Sequence, residues 1–167
     1  NMNSVTEGPA TVLGDFISAD VILPARFSFA PPAEMAANLL GELGVDVNKR
    51  VCSHPILVVG KAFGYGTGRE SPARALRAAG VRAIVGGPFA RMFFRNCLNN
   101  GILTIECPAV AACGIAEGDS VTISLDETTI RHRDAEFSFQ PVAPIVRSII
   151  AAGGLIPFGK TILEVSP

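Results

Sequence analysis

Several things that would fix a function class at once are missing from this 167-residue chain. Net charge is close to nil: 14 Lys and Arg stand against 15 Asp and Glu, giving −1. The basic footprint that nucleic-acid binding requires is therefore absent. Apolar runs fall far short of the roughly 18 residues that a membrane span needs. Cys52, Cys97, Cys107 and Cys113 form no C-x-x-C pair, and the two histidines, His54 and His132, are not at ligand spacing. Reduced thiols are expected and no metal site is; a cluster bound by this chain alone would want closely spaced thiolates. The start is polar, with no basic stretch ahead of an apolar one, so no secretory signal is expected and the assignment is cytoplasmic. Low-complexity segments and internal repeats are also lacking.

What is present is an apolar chain, 49% hydrophobic and 17% charged. It suits a single domain over 1–167 with a real core, its apolar excess lying in buried parallel strands or in a surface that a partner covers. Short strands are expected at Ala10–Leu13 and Val21–Leu23 around a turn at Gly14-Asp15. Pro31-Pro32 opens a helix over Ala33–Leu43 that Gly44 ends. Ile56–Val59, Arg82–Val85 and Ile102–Ile105 have the look of buried strands. Between them lie two helices. One has Ser71 as N-cap and Pro72 at its first position, closing at Gly80. The other runs from Pro88 to about Leu98, with Phe89, Met92, Phe93 and Cys97 on a core face, and Asn99-Asn100-Gly101 turning out of it. Strand–helix–strand–helix–strand implies right-handed βαβ crossovers and a parallel sheet. After Gly118, alternation at 121–125, 129–132 and 136–139 predicts an antiparallel meander, and Pro144–Ala152 a last helix stopped by Gly153-Gly154. The fold class is α/β: a three-layer or barrel-like mixed sheet with flanking helices.

The most informative stretch is 60–70, Gly-Lys-Ala-Phe-Gly-Tyr-Gly-Thr-Gly-Arg-Glu. It follows a strand and precedes a helix, where ligands of parallel sheets bind. Glycines let the backbone turn and approach a ligand, helix N-termini present free N–H groups, and a guanidinium grips carboxylate or phosphate through two hydrogen bonds. The pattern describes an anion site with the Thr67 hydroxyl at its centre and Arg69 beside it. Gly64, Gly66 and Gly68 have the wrong spacing for a dinucleotide fingerprint, no acid lies between Ile84 and Phe89 for a ribose, and no Gly-Lys-Ser/Thr makes a phosphate loop. A plain strand-to-helix turn would have no need of Thr67 and Arg69.

These residues resemble the G-K-N-F-G-C-G-S-S-R-E signature of the 3-isopropylmalate dehydratase small subunits, which match the swivel domain of aconitase. Residues 89–101, Phe-Ala-Arg-Met-Phe-Phe-Arg-Asn-Cys-Leu-Asn-Asn-Gly, are similar to the family's F-A-R-I-F-F-R-N-x-x-N-x-G. Residues 14–27, Gly-Asp-Phe-Ile-Ser-Ala-Asp-Val-Ile-Leu-Pro-Ala-Arg-Phe, resemble its G-D-N-I-D-T-D-x-I-I-P-A-R-Y. The three motifs come in the family's order; the C-terminal third matches more loosely, in Ala151-Ala152-Gly153-Gly154-Leu155.

The resemblance implies an aconitase-like swivel domain that works with a larger subunit, as a heterodimer or heterotetramer. The partner would hold a [4Fe–4S] cluster, this chain would bind no cofactor, and it would be inactive alone. The reaction implied is dehydration and rehydration of a 2-hydroxy di- or tricarboxylic acid. Thr67 takes the position of the family's proton-abstracting serine, Arg69 that of the carboxylate clamp, and Asp20 that of the last acid of D-T-D, which supports proton transfer. Arg26 is a second carboxylate contact, and Phe27 and Phe29 fall where the family's loop reaches the variable group of the substrate. The family's second serine is Gly68, whose N–H can donate to a developing oxyanion, and Gly66 precedes the triplet. Tyr65 replaces a cysteine and Ser71 a histidine. Thr-Gly in place of Ser-Ser suggests an altered substrate. It also leaves open a non-catalytic homologue acting as a binding or regulatory subunit, beside the third option of a stand-alone anion or nucleotide binder. Arg91 and Arg95 are expected in solvent, and His54 and His132 have no evident role.

Overall fold

A computed structural model describes residues 4–165. The chain opens with strand β1 (Val5–Val12), helix α1 (Ala19–Ile22), a 3₁₀ turn at Ala25–Phe27, and helix α2 (Pro32–Asn38). Helix α3 (Val45–Ser53) leads into β2 (Ile56–Val59), α4 (Ser71–Ala78), β3 (Ala83–Gly86), α5 (Arg91–Asn99) and β4 (Leu103–Glu106). Helix α6 (Pro108–Ala112), the strands β5 (Ser120–Ser124), β6 (Thr129–His132) and β7 (Ala135–Ser138), and the helices α7 (Pro144–Ala152) and α8 (Leu155–Val165) complete it.

All seven strands form one sheet in the order β4-β3-β2-β1-β5-β6-β7. The first four are parallel, with Ala10 beside Ile56, Ile56 beside Ala83 and Ala83 beside Leu103. The last three form the expected antiparallel meander. β1 serves both halves: Val5–Pro9 pair antiparallel with β5, and Ala10–Val12 pair parallel with β2. The result is a curled half-barrel with helices on both faces. Alternation along β2 sends Leu57 and Val59 into a core with α1, α2, α4 and α5, while Ile56 and Val58 enter a second core with Val110 of α6, Val121 and Ile130. These two cores make three layers. No single helix among the described residues is long and apolar enough to cross a membrane.

Four local expectations fail, each for a visible reason. Val21–Leu23 is not a strand. Ser18 Oγ accepts from Val21 N at 3.1 Å and starts α1, so a cap outweighs a β-prone triplet. The helix expected over Ala33–Leu43 stops at Asn38, where the chain turns and Leu40, in the left-handed region at φ 54°, donates its N–H to Ile22 O at 2.8 Å. The helix placed at Pro88 begins at Arg91, because Pro88 O is taken by Ala62 N at 2.7 Å. Ser71 does not cap α4: the N-cap is Glu70, and the Ser71 hydroxyl faces the site described below. α3 and α8 lie where no helix is expected from the sequence.

Candidate active site

The segment 60–70 leaves the carboxyl end of β2 and is laced to the loop after β1. Asp15 Oδ1 accepts from Lys61 N at 2.8 Å, Phe16 N donates to Lys61 O at 2.8 Å, Gly64 N to Ile17 O at 2.8 Å, and Ala19 N to Tyr65 O at 2.7 Å. This lacing requires glycine at two places. A Cβ at Gly60 would lie 1.8 Å from Asp15 Oδ1. A Cβ at Gly64 would lie 2.1 Å from the Phe93 ring, and Gly64 has φ +84°. The Phe93 ring packs edge-on against Phe63 with centroids 5.3 Å apart, so α5 presses directly on the loop. With α1 tied to Tyr65 in this way, Asp20 in its first turn comes to face Arg69.

The Arg69 guanidinium is held from three sides. Its Nε donates to Thr67 Oγ1 at 3.1 Å, Nη1 to Ser28 Oγ at 2.7 Å and to Ser71 Oγ at 3.4 Å, and Nη2 to Asp20 Oδ1. Ser71 Oγ and Ser28 Oγ are also in contact at 3.3 Å. The Arg69 side chain is 27% exposed and that of Asp20 64%, so the pair lies at the mouth of the site rather than inside it. α5 fixes the backbone beneath: buried Asn96 donates through Nδ2 to Gly68 O at 3.2 Å and Arg69 O at 3.3 Å, and Asn100 Nδ2 reaches Glu70 Oε1 at 3.1 Å.

Thr67, Arg69 and Asp20 are thus brought together. Gly66 has φ +109°, with nothing within 4 Å of a Cβ added there. Gly68 does not have a left-handed φ, and a Cβ there would meet only Met92, at 3.5 Å and beyond. The backbone therefore accepts a side chain at 68, and glycine at that position is not a folding requirement. Met92, expected in the core, is 48% exposed and covers this side of the loop. Arg26 and Phe27 are not drawn into the polar cluster. The Arg26 guanidinium stacks over the Phe27 ring at 4.7 Å, and Phe27 packs on the core. Phe29 is fully exposed at 100%, and Phe16, Tyr65 and Met92 are exposed as well. Phe16 lies on the loop after β1, Phe29 beside Ser28, Tyr65 on the 60–70 segment and Met92 on α5, so each segment that contributes to the Thr67–Arg69 cluster also exposes an apolar group. No sequence motif marks Ser28 as a partner of Arg69. Ser71 has the sequence position of a helix cap but faces the guanidinium instead, and Asn96, within the 89–101 motif, holds the loop backbone.

The other chemistry-bearing residues are occupied elsewhere. His54 Nδ1 meets Thr11 Oγ1 at 2.9 Å and Glu117 Oε2 at 3.2 Å. His132 Nε2 meets Asp119 Oδ2 at 2.8 Å, and this bond holds the Asp119 carboxyl below the usual range. Burial pushes the Cys97 thiol far up, so it is no thiolate at neutral pH. Among the described residues, no group of three or more His, Cys, Asp or Glu is placed to hold a metal ion.

Residues 43–110 match the family described as the aconitase C-terminal domain. Over 155 residues the chain is 39% identical to the 3-isopropylmalate dehydratase small subunit of Caldanaerobacter subterraneus subsp. tengcongensis, covering 91% of this chain and 96% of that one. It is 36% identical over 148 residues to the 2,3-dimethylmalate dehydratase small subunit of Eubacterium barkeri, covering 87% and 90%. The crystal structure of a 3-isopropylmalate dehydratase chain from Methanocaldococcus jannaschii superposes with a TM-score of 0.85 at 28% identity, over 96% of both chains. Similarity of this extent carries through both halves of the sheet, the meander and the C-terminal helices included, and this chain belongs to the family of 3-isopropylmalate dehydratase small subunits, with the aconitase-like swivel fold.

Proposed function

We propose that this chain is the small subunit of a hydro-lyase that removes and restores water on a 2-hydroxy di- or tricarboxylic acid, together with a larger subunit. The observation that carries this reading is the guanidinium of Arg69, fixed by Asp20, Ser28 and Ser71 while its Nε donates to the Thr67 hydroxyl. A clamp held this way is oriented before the ligand arrives, which lowers the cost of binding a planar carboxylate. Asp20 is more than half exposed, so a substrate carboxylate can take its place on Nη2.

Thr67 has the chemistry for the carbon-bound proton. A threonine hydroxyl is a weak base until its own proton leaves; at this exposed position that proton passes to water at the mouth, and the donor at Nε stabilises the oxyanion that remains. That oxygen then takes the proton from the substrate carbon, hydroxide departs from the neighbouring carbon, and an alkene forms. The Gly68 N–H is assigned as a further donor to a developing oxyanion. Departure of hydroxide is assigned to the larger subunit, since the described residues of this chain offer no metal site. The exposed Phe16, Phe29, Tyr65 and Met92 suit burial against that subunit and an alkyl-bearing substrate, in line with relatives named for isopropylmalate and dimethylmalate.

The test is anaerobic reconstitution. The expected result is capture of a brown, cluster-bearing partner, with hydration activity in the complex and none in this chain alone. A partner-free chain, or a complex inactive on every alkyl-substituted malate and tricarboxylic hydroxy acid tried, would overturn the reading. The glycine at 68 favours one alternative, a binding or regulatory subunit without turnover. On that reading Arg69→Ala weakens association or ligand binding, and no activity exists to lose.

A further inference from the structure

At the opposite end of the parallel strands from Thr67 lies a half-open cavity of about 870 Å³. It is framed by the start of β1, the turns that enter β3 and β4, and the last turns of α7. Arg77, Arg82 and Arg147 all line it, with Glu7 as the one acid and Leu103 and Ile150 among the apolar walls. This is a concentration of cation that the −1 net charge of the chain conceals.

The three guanidiniums are committed to different degrees. Arg77 donates Nη1 to Gly101 O at 3.2 Å, which satisfies a carbonyl just past the end of α5. Arg147 donates Nη2 to Asp126 Oδ1 at 2.9 Å, and this bond holds the Asp126 carboxyl below the usual range. Its Nε, however, is buried and meets no acceptor among the described residues. Arg82 is exposed and its guanidinium makes no ion pair or hydrogen bond among the described residues. Glu7 pairs with none of the three. Like charges gathered on one wall repel, and an anion in the cavity relieves that repulsion while giving the Arg82 guanidinium a partner. Counting Glu7 and Asp126 against the three arginines still leaves the cavity cationic.

We propose that this cavity is a second ligand site, for a small organic dianion whose charged head lies on Arg82 and Arg147 and whose carbon body lies on Leu103 and Ile150. The head is a phosphomonoester or a pair of carboxylates, both of which match the planar donor fork of arginine. The site is separate from the Thr67–Arg69 end and serves to bind an effector there. It stands whether or not the chain is a hydro-lyase subunit.

The experiment is calorimetric titration of the full chain at low ionic strength, with inorganic phosphate in one arm and succinate in the other. Saturable one-site binding is expected in at least one arm. Arg82→Gln should weaken it at least tenfold, while Arg69→Ala should leave it unchanged. Binding of phosphate only assigns a phosphomonoester head, and of succinate only a dicarboxylate; binding of both assigns the shared dianion chemistry. Amide shifts of Gly101 and Gly153 in the wild-type chain during the same titration place the ligand without any substitution. The proposal is overturned by no saturable binding in either arm, by binding that Arg82→Gln does not weaken, or by binding lost in Arg69→Ala.

Discussion

The two ends of the parallel sheet both present arginine, and the difference between them separates a finished site from an open one. At the carboxyl end, each nitrogen of Arg69 has an oxygen partner, two of them serine hydroxyls and one the hydroxyl it is proposed to activate. At the amino end, Arg82 has no partner among the described residues and Arg147 has a buried nitrogen without one. The first arginine is held in place by its own fold. Of the second pair, Arg147 is held by Asp126 while Arg82 is free to meet the ligand we propose there. An engaged guanidinium has lost rotamer freedom before the ligand arrives, whereas a free one loses it on binding.

Substitutions can break each side of that contrast. The largest effect on stability is expected from Gly64→Ala. The added methyl overlaps the Phe93 ring in a left-handed backbone, which we expect to cost about 2–4 kcal/mol and to loosen the whole 60–70 segment. Chemical denaturation checks this, and a midpoint equal to wild type would show that the loop does not rest on α5. Asn96→Ala comes next. It leaves Gly68 O and Arg69 O without their donor, with an expected loss of about 1–3 kcal/mol. In the reconstituted enzyme the same variant should lower kcat more than it raises KM, because it moves the backbone that carries the clamp. Gly68→Ser should shift stability by no more than about 0.5 kcal/mol, since the backbone admits a Cβ there. Its effect should show as roughly a tenfold change in preference between alkyl-substituted malates of different size. The smallest change is expected at the other end, where Arg82→Gln should melt within about 0.5 kcal/mol of wild type, as a side chain without partners should.

How far the sequence disclosed this arrangement depended on whether the information was local. The parallel core was legible, because Ile56–Val59 and its neighbours are short apolar runs between turn signals, and the meander was legible from its two-residue period. Three motifs placed Thr67, Arg69 and Asp20 in one family pattern before any geometry. The misses share one cause, tertiary contact overriding a local signal. Ser71 has the spacing of a cap beside Pro72, yet its hydroxyl turns to Arg69 because Ser28 and the guanidinium gather there. Met92 falls on the apolar side of a helical wheel, yet the loop at Gly68 rather than the core is what it meets. Leu40 ends α2 by bonding to Ile22, a residue far up the chain. α8 has no clear helical signal because Pro157 and Gly159 sit within it, the proline harmlessly in its first turn. Ser28 could not have been found at all: it belongs to no motif, and it matters only because the fold brings it 2.7 Å from Arg69.

The most direct test of the central claim compares Thr67→Ala and Thr67→Ser in the reconstituted complex, following turnover and solvent-deuterium exchange at the substrate carbon. If the Thr67 oxygen moves the proton, the alanine variant loses about 10²–10⁴-fold in both rates, while serine, which keeps the hydroxyl, recovers most of each. Turnover and exchange unchanged in Thr67→Ala would contradict the account, and Thr67 would then be only a partner that helps to hold Arg69.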